Sequence, residues 1–494
     1  MDSFDNHLSL FGYRQVGSVP HVPSVAIGRS KVGLGFEKLD RGVFDPEKAY
    51  DYVAALGVKW ARLQSGWERT EKERGVYDFG WLDAIVDRFL ADGIQPWICL
   101  CYGHGLYDEA AAKVFGAVGC PPIHSPEAKA AWARYVTALV ARYKGRVEHF
   151  EVWNEPDGQW CWKHGVNGRE YGQFVLDTVA AIHAGNPGAK VLGGVMCGTS
   201  YAWLSDVAST GAIGAMWGFT YHEYTTDETH NPEKVRFLRA FLTRYNPDIR
   251  IIQGESGSQS RHDGAGALRG LAWTQEKQAR QLLRHTVSDL LCDVEFLSFF
   301  TCVDMIEALN GTVGDKASYL DYGYFGVLSA EFDEDGHSTG TYTPKLAYRA
   351  LQNLAALFRE EPAVAELPVE VAPAEHPPLI GWFAREPSFR ELTTGGFRRP
   401  DGSAAYAYWK PADLITETYF GSASFRVAGE ARLPRLCDPM TGAIYEIPEK
   451  CVVREADLCY ALQHLPCLDY PLLLLWGDFE APGRSPAPTR KGKP

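Results

Sequence analysis

The feature that constrains this chain most is an alternation of two periodicities. From about Val32 onward, short runs rich in β-branched and apolar residues take turns with longer segments of helical spacing. Such alternation is the mark of repeated βα units, which lay successive strands parallel in one sheet. Eight runs read as strands: Val32 to Phe36, Lys59 to Leu63, Gln95 to Cys101, Val147 to Trp153, Val191 to Gly194, Phe219 to Tyr221, Ile249 to Gly254 and Val294 to Thr301. Between the third and fourth, Trp132, Tyr135, Val136, Leu139, Val140 and Tyr143 recur on one face of a helix predicted over Ala128 to Tyr143. A last helix is expected over Lys345 to Phe358, with Pro344 near its first turn. Eight strands and eight helices predict an α/β chain built on a (β/α)8 TIM barrel over residues 32–360.

Beyond Glu360 the pattern turns to Pro-rich connections and short alternating runs, among them A-A-Y-A-Y-W, S-F-R-V-A and P-L-L-L-L-W-G. These predict a C-terminal β-sandwich over 361–480, followed by a disordered Pro- and Lys-rich tail over 481–494. Residues 1–31 hold no strong helix and are expected to add a strand to the sandwich or to cover the bottom of the barrel. The connection from Asp304 to Thr343, rich in Gly, Tyr, Asp and Glu, follows the eighth strand and is expected to lie over the barrel mouth.

Charge excludes some partners. With 49 basic and 62 acidic residues the chain carries a formal charge of −13, which opposes phosphate backbones and anionic lipid, so neither nucleic acid nor membrane is an expected partner. The start, M-D-S-F-D-N-H, lacks the basic and apolar regions of a secretory signal, and no run approaches the roughly 20 apolar residues of a membrane span, so a cytoplasmic location is expected. The 11 cysteines form no C-x-x-C pairs and read as reduced core thiols. Oligomeric state leaves no mark on the sequence, and a homo-oligomer stays open.

Two of the predicted strands end on carboxylates. H-F-E-V-W-N-E-P-D-G carries Glu155 past the fourth run, and I-I-Q-G-E-S-G carries Glu255 past the seventh. Barrel enzymes display reacting groups at such strand ends. Cleaving an acetal needs a proton for the leaving oxygen and a negative charge facing an oxocarbenium-like carbon, which two carboxyl groups supply. A phosphate loop, a dinucleotide fingerprint and a G-x-S-x-G serine elbow are missing from the sequence, and its histidines form no close H-x-H pair. The expected chemistry is hydrolysis of a carbohydrate substrate with no cofactor and no metal.

Four motifs in order give a more specific resemblance. R-L-Q at Arg62 to Gln64, N-E-P at Asn154 to Pro156, H-E-Y at His222 to Tyr224 and G-E-S at Gly254 to Ser256 resemble those of the clan A glycoside hydrolases, and family 39 most closely. The resemblance implies a retaining hydrolase with Glu155 as general acid/base and Glu255 as nucleophile. It also implies that His222 and Tyr224 form the sixth strand's pair. In that setting Asn154 could bond the sugar 2-hydroxyl, Arg62 could keep Glu255 ionised, and Tyr224 could donate to the same carboxylate. Glu155 would need partial burial, or the repulsion of Glu255, to hold its proton.

Other residues are weighed between substrate and structure. Trp160 and Trp162 follow Glu155, and at least one is expected to stack on sugar. Tyr102 and His104 follow the third strand, with substrate contact and a structural hydrogen bond equally open. Glu37 reads either as a contact to the terminal sugar or as an ion-pair partner of Lys38 or Arg41. Glu151, sharing alternation with Trp153 and Glu155, is expected inside the barrel with a polar partner rather than as a catalyst. Phe300 stands where family 39 proteins usually carry Trp, leaving an apolar floor without the indole N–H. The expected activity is that of an exo-β-glycosidase on small glycosides or oligosaccharides. The alternatives are an endo-β-glycanase and a carbohydrate-binding barrel without turnover.

Overall fold

The computed structural model describes residues 7–112, 118–306, 321–372 and 391–481. Eight parallel strands close into a barrel: β1 (Val32–Gly35), β2 (Trp60–Gln64), β3 (Gln95–Leu100), β4 (His149–Val152), β5 (Lys190–Met196), β6 (Gly218–Glu223), β7 (Arg250–Ser256) and β8 (Leu297–Phe299). Closure is made by β1 against β8, with Val32, Gly33 and Leu34 opposite Leu297, Ser298 and Phe299. The helices form where periodicity and caps agree. Helix Pro126–Arg142 starts on Ser125, whose hydroxyl accepts from Ala128 N–H, with Pro126 in the first turn where its missing donor costs nothing. The helix predicted before the sandwich runs Leu346–Leu357.

Among the described residues, the two larger antiparallel sheets lie outside the barrel. Seven strands are ordered Arg14–Ser18, Ala443–Glu446, Arg435–Asp438, Leu472–Trp476, Ala404–Trp409, Thr393–Arg398 and Ala363–Val364. Four more are ordered Val369–Ala372, Phe420–Ala428, Cys459–Leu468 and Val452–Ala456. The N-terminal segment serves both structures: Arg14–Ser18 pairs with Ala443–Glu446, while Ser24 and Ser30 carbonyls accept from Lys59 and Trp60 at the barrel bottom. The predicted tail from 482 and residues 307–320 of the long connection lie outside the described residues.

The sheets are welded to the barrel. Tyr408 packs on Phe425 of the opposite sheet at 4.7 Å, whereas its neighbour Trp409 turns the other way and donates to Glu228 at 2.7 Å. Glu228 also accepts from Arg284 at 2.8 Å, and Arg280 bonds Asp469 at 2.6 Å. Helix Gln275–Leu291, which carries both arginines, is therefore buried over most of its circumference despite its polar sequence. Each buried charge here has an opposite partner, as desolvation demands. All 11 cysteines are free, and among the described residues no helix is long and apolar enough to cross a membrane.

Candidate active site

The site is built by irregularities in otherwise regular strands. A bulge in β7 takes the register from Tyr221 opposite Gln253 to His222 opposite Glu255, so Glu255 swings to the barrel axis beside the histidine. Gly254 makes this possible, because a Cβ there would stand 3.0 Å from His222 Nε2. After β4 the chain enters the left-handed region twice, at Trp153 (φ 69°) and Glu155 (φ 44°). Left-handed non-glycine residues cost about 1 to 3 kcal/mol each and persist where surroundings fix them. Here the Glu155 N–H bonds Val195 O at 3.0 Å, and the Trp153 indole donates to Cys161 O at 2.8 Å. The break corrects one expectation from strand alternation: Trp153 does not join Glu151 in the lumen but packs outward on Trp132 and Phe174.

Arg62, fully buried, is the hub. Its guanidinium donates to Glu151, to Glu255 and to Asn154 Oδ1 at 2.9 Å, and lies 3.2 Å from Glu37. Tyr224 Oη donates to Glu255 at 2.7 Å. His222 Nδ1 sits 2.9 Å from Glu155 and 3.6 Å from Glu255, touching both carboxylates. The Trp160 indole N–H donates to the other Glu155 oxygen. Asn154 is steadied further by its amide nitrogen, 3.5 Å from Cys161 Sγ.

Neighbouring charges act strongly on Glu255. Burial alone would raise the Glu255 pKa, but His222, Arg62, the Tyr224 hydrogen bond and Lys38 overcome it and hold the carboxyl below the usual range. His222 moves the other way: burial lowers it, and the charges of Glu255 and Glu155 outweigh that and raise it. Glu37, fully enclosed and facing Glu255 and Glu151 as well as Arg62, is pushed well above the carboxylate range, chiefly by burial. The donor atoms of Glu155, His222 and Glu255 all lie within 4.8 Å of one another, near enough to share a cation. In this chain the two carboxylates are already engaged, Glu255 by Arg62 and Tyr224 and Glu155 by Trp160.

A cavity of about 480 Å³ opens over the pair, walled by Glu37, Asn154, Glu155, Trp160, Tyr224, Glu255 and Phe300 among others. Phe300 forms one side with Phe325, ring centres 5.4 Å apart, so the described part of the long connection after β8 does reach the pocket. In each of the two candidate pairs, one member lines the cavity and the other does not. Trp162 is fully buried among Trp153, Tyr171 and Phe174, and Trp160, 42% exposed, holds the wall instead. His104 turns away to Glu71 O and packs on Trp67, a structural role, while Tyr102 lines the cavity. Glu37 takes Arg62 as its ion partner rather than Lys38 or Arg41.

Sequence reasoning missed several lining residues. Gln64 binds the Lys38 N–H at 2.9 Å and Arg41 at 3.0 Å, which folds the loop after β1 into the pocket. Its place in R-L-Q, two residues past Arg62 on the same strand face, was the available signal. The loop at 266–269 after β7 gave none.

Residues 43–231 match the family model of glycosyl hydrolases family 39. The chain resembles family 39. A β-xylosidase from Geobacillus stearothermophilus is 31% identical over 192 residues, covering 36% of this chain and only 38% of that protein. A family 39 glycoside hydrolase from the gut symbiont Bacteroides cellulosilyticus WH2 superposes with TM-score 0.63 at 17% identity, over 92% of this chain and 82% of its own. A GH39 β-xylosidase from Caulobacter crescentus gives TM-score 0.53 at 18% identity, over 93% and 98%. The family match spans β2 to β6, which includes Arg62, Asn154, Glu155, His222 and Tyr224. The structural likeness extends the shared fold to the sandwich.

Proposed function

We propose that this protein is a retaining glycoside hydrolase, acting as an exo-β-glycosidase on small glycosides or oligosaccharides. The observation that carries the reading is the closeness of Glu155 and Glu255, which bring one oxygen each within 4.8 Å. Retaining pairs keep their carboxyl groups about 5 to 5.5 Å apart, whereas inverting pairs leave roughly 6.5 to 9.5 Å for a water. The electrostatics agree, since Glu255 is held anionic by Arg62, His222 and Tyr224 as a nucleophile must be.

In the first step the Glu255 carboxylate attacks the anomeric carbon while Glu155 gives its proton to the glycosidic oxygen. The leaving alcohol departs, and a glycosyl ester forms on Glu255. Esterification removes the charge facing Glu155, which then takes a proton from water as that water attacks the same carbon and releases Glu255. Asn154, held by Arg62 and Cys161, meets the 2-hydroxyl. Phe300 supplies the apolar floor and Trp160 the aromatic wall on the leaving-group side. Glu37 meets a glycone hydroxyl, for its Oε1 is buried with no partner among the described residues.

The matched relatives named as β-xylosidases make xylosides the first substrates to try. A panel of nitrophenyl glycosides, read by NMR of the first-formed anomer, tests the reading. Retention of configuration with release of a single sugar unit is expected. An inverted first product would remove the double-displacement assignment.

A further inference from the structure

A second cavity adjoins the first. It holds about 400 Å³, is lined by Asp40, Glu68, Arg69 and Lys72, and shares Arg41 and Tyr102 with the pocket over Glu155 and Glu255. We infer that it is a subsite for one further sugar residue joined to the far side of the glycone, so that a terminal disaccharide is the unit preferred for removal. The inference rests on the hydrolase reading above.

Direction comes from the barrel. Glu155 and Trp160 follow β4, and the proton must go to the leaving oxygen, so the aglycone lies on that side. The shared wall, Arg41 after β1 and Tyr102 after β3, belongs with Glu37, Lys38 and Gln64 on the glycone side. What lies past that wall lies past the glycone.

The chemistry of the lining fits hydroxyls. Arg41 has a side chain only 6% exposed, with Nη2 on Gln64 and Nε 3.3 Å from Asp40, yet its Nη1 is buried without a partner among the described residues. A buried guanidinium nitrogen left unbonded is costly, and a ligand oxygen would satisfy it. Arg69 is fixed by its bond to Leu39 O and by stacking 4.3 Å from the Trp81 ring. Two carboxylates interleaved with three cations offer acceptors and donors side by side. Vicinal hydroxyls, each donor and acceptor at once, match that array, whereas an anion would face Asp40 and Glu68.

The test compares 4-nitrophenyl β-xyloside with 4-nitrophenyl β-xylobioside, and the glucoside with the cellobioside, on the full chain. For the cleaved glycone, kcat/KM on the disaccharide glycoside should exceed that on the monosaccharide glycoside at least tenfold, with intact disaccharide as the first sugar released. In the Glu68→Ala/Lys72→Ala double variant, whose positions are half-buried and exposed respectively, that ratio should fall toward one. A ratio near one in the parent, or an unchanged ratio in the variant, overturns the subsite while leaving the hydrolase reading intact. Preference only for a glycone bearing a carboxylate would overturn it in favour of an anion site. Release from none of these substrates, nor from any other aryl glycoside, overturns both readings.

Discussion

The two ends of the barrel are built from the same eight strands and obey opposite rules. At the N-terminal end Trp97, Leu192, Ile252 and Phe296 form a closed apolar plug, with Phe296 stacked 4.0 Å from Trp60. Its one titratable member, His149, is surrounded by Trp60, Trp217 and Phe296 and kept neutral, burial pushing its pKa down to about 3. At the C-terminal end Arg62, Glu37, Glu151, Glu255 and His222 are just as buried but ionisable, and Arg62 joins three of them, donating to Glu151 and Glu255 and lying 3.2 Å from Glu37. Burial is common to both ends. What differs is the chemistry of what is buried: stacked aromatic and aliphatic side chains at one end, ionisable groups bonded to one another at the other.

If that contrast is right, substitutions at the two ends should fail in different ways. Glu255→Gln keeps shape and removes the nucleophile, so kcat should fall by about 10⁴-fold or more while the thermal midpoint moves little. A large loss of stability with modest loss of turnover would erase the distinction. Phe296→Ala should do the reverse, costing about 3 to 5 kcal/mol of unfolding free energy in denaturant titration with kcat of the folded enzyme nearly kept.

A smaller effect sharpens the electrostatics. His222→Asn takes away the positive charge that acts most strongly on Glu255, so the carboxylate should protonate at higher pH. The acidic limb of the kcat/KM profile should then move toward neutrality, and an unmoved limb would break the account of how Glu255 is kept ionised.

The smallest effect concerns the plug. With His149 neutral in the fold down to about 3 and an ordinary value of 6.5 when unfolded, the unfolded chain binds the extra proton between those limits. Stability should therefore drop as pH falls through that window, by at most about 1.4 kcal/mol per pH unit from this group. His149→Phe should flatten the slope of unfolding free energy against pH, and an identical slope would count against it.

Much of this was legible in the sequence, for physical reasons. The barrel was readable because a strand buried on both faces must be a short apolar run, and a covering helix must be amphipathic. The meeting of Glu155 and Glu255 at one end of the barrel was readable because each glutamate comes at the end of such a run. Loop residues were not. Trp160 and Trp162 are equivalent as letters, yet one walls the cavity and the other packs beneath it, because the chain turns at Gly158 and Cys161 rather than following a fixed period. Glu37 offered two neighbours as ion partners and chose Arg62, one strand away in space. Its left-handed neighbour Lys38 (φ 62°) redirects the chain after β1 in a way no propensity predicts.

The proposed double displacement makes Glu255 the site of a covalent glycosyl ester. An activated 2-deoxy-2-fluoro aryl glycoside of the cleaved sugar slows the second step more than it slows the first, so the ester should accumulate and be found by mass spectrometry of the digested protein. One added glycosyl unit is expected on the peptide containing Glu255, absent from Glu255→Gln. A glycosyl unit on any other residue, or turnover with no covalent adduct and an inverted product, would contradict it.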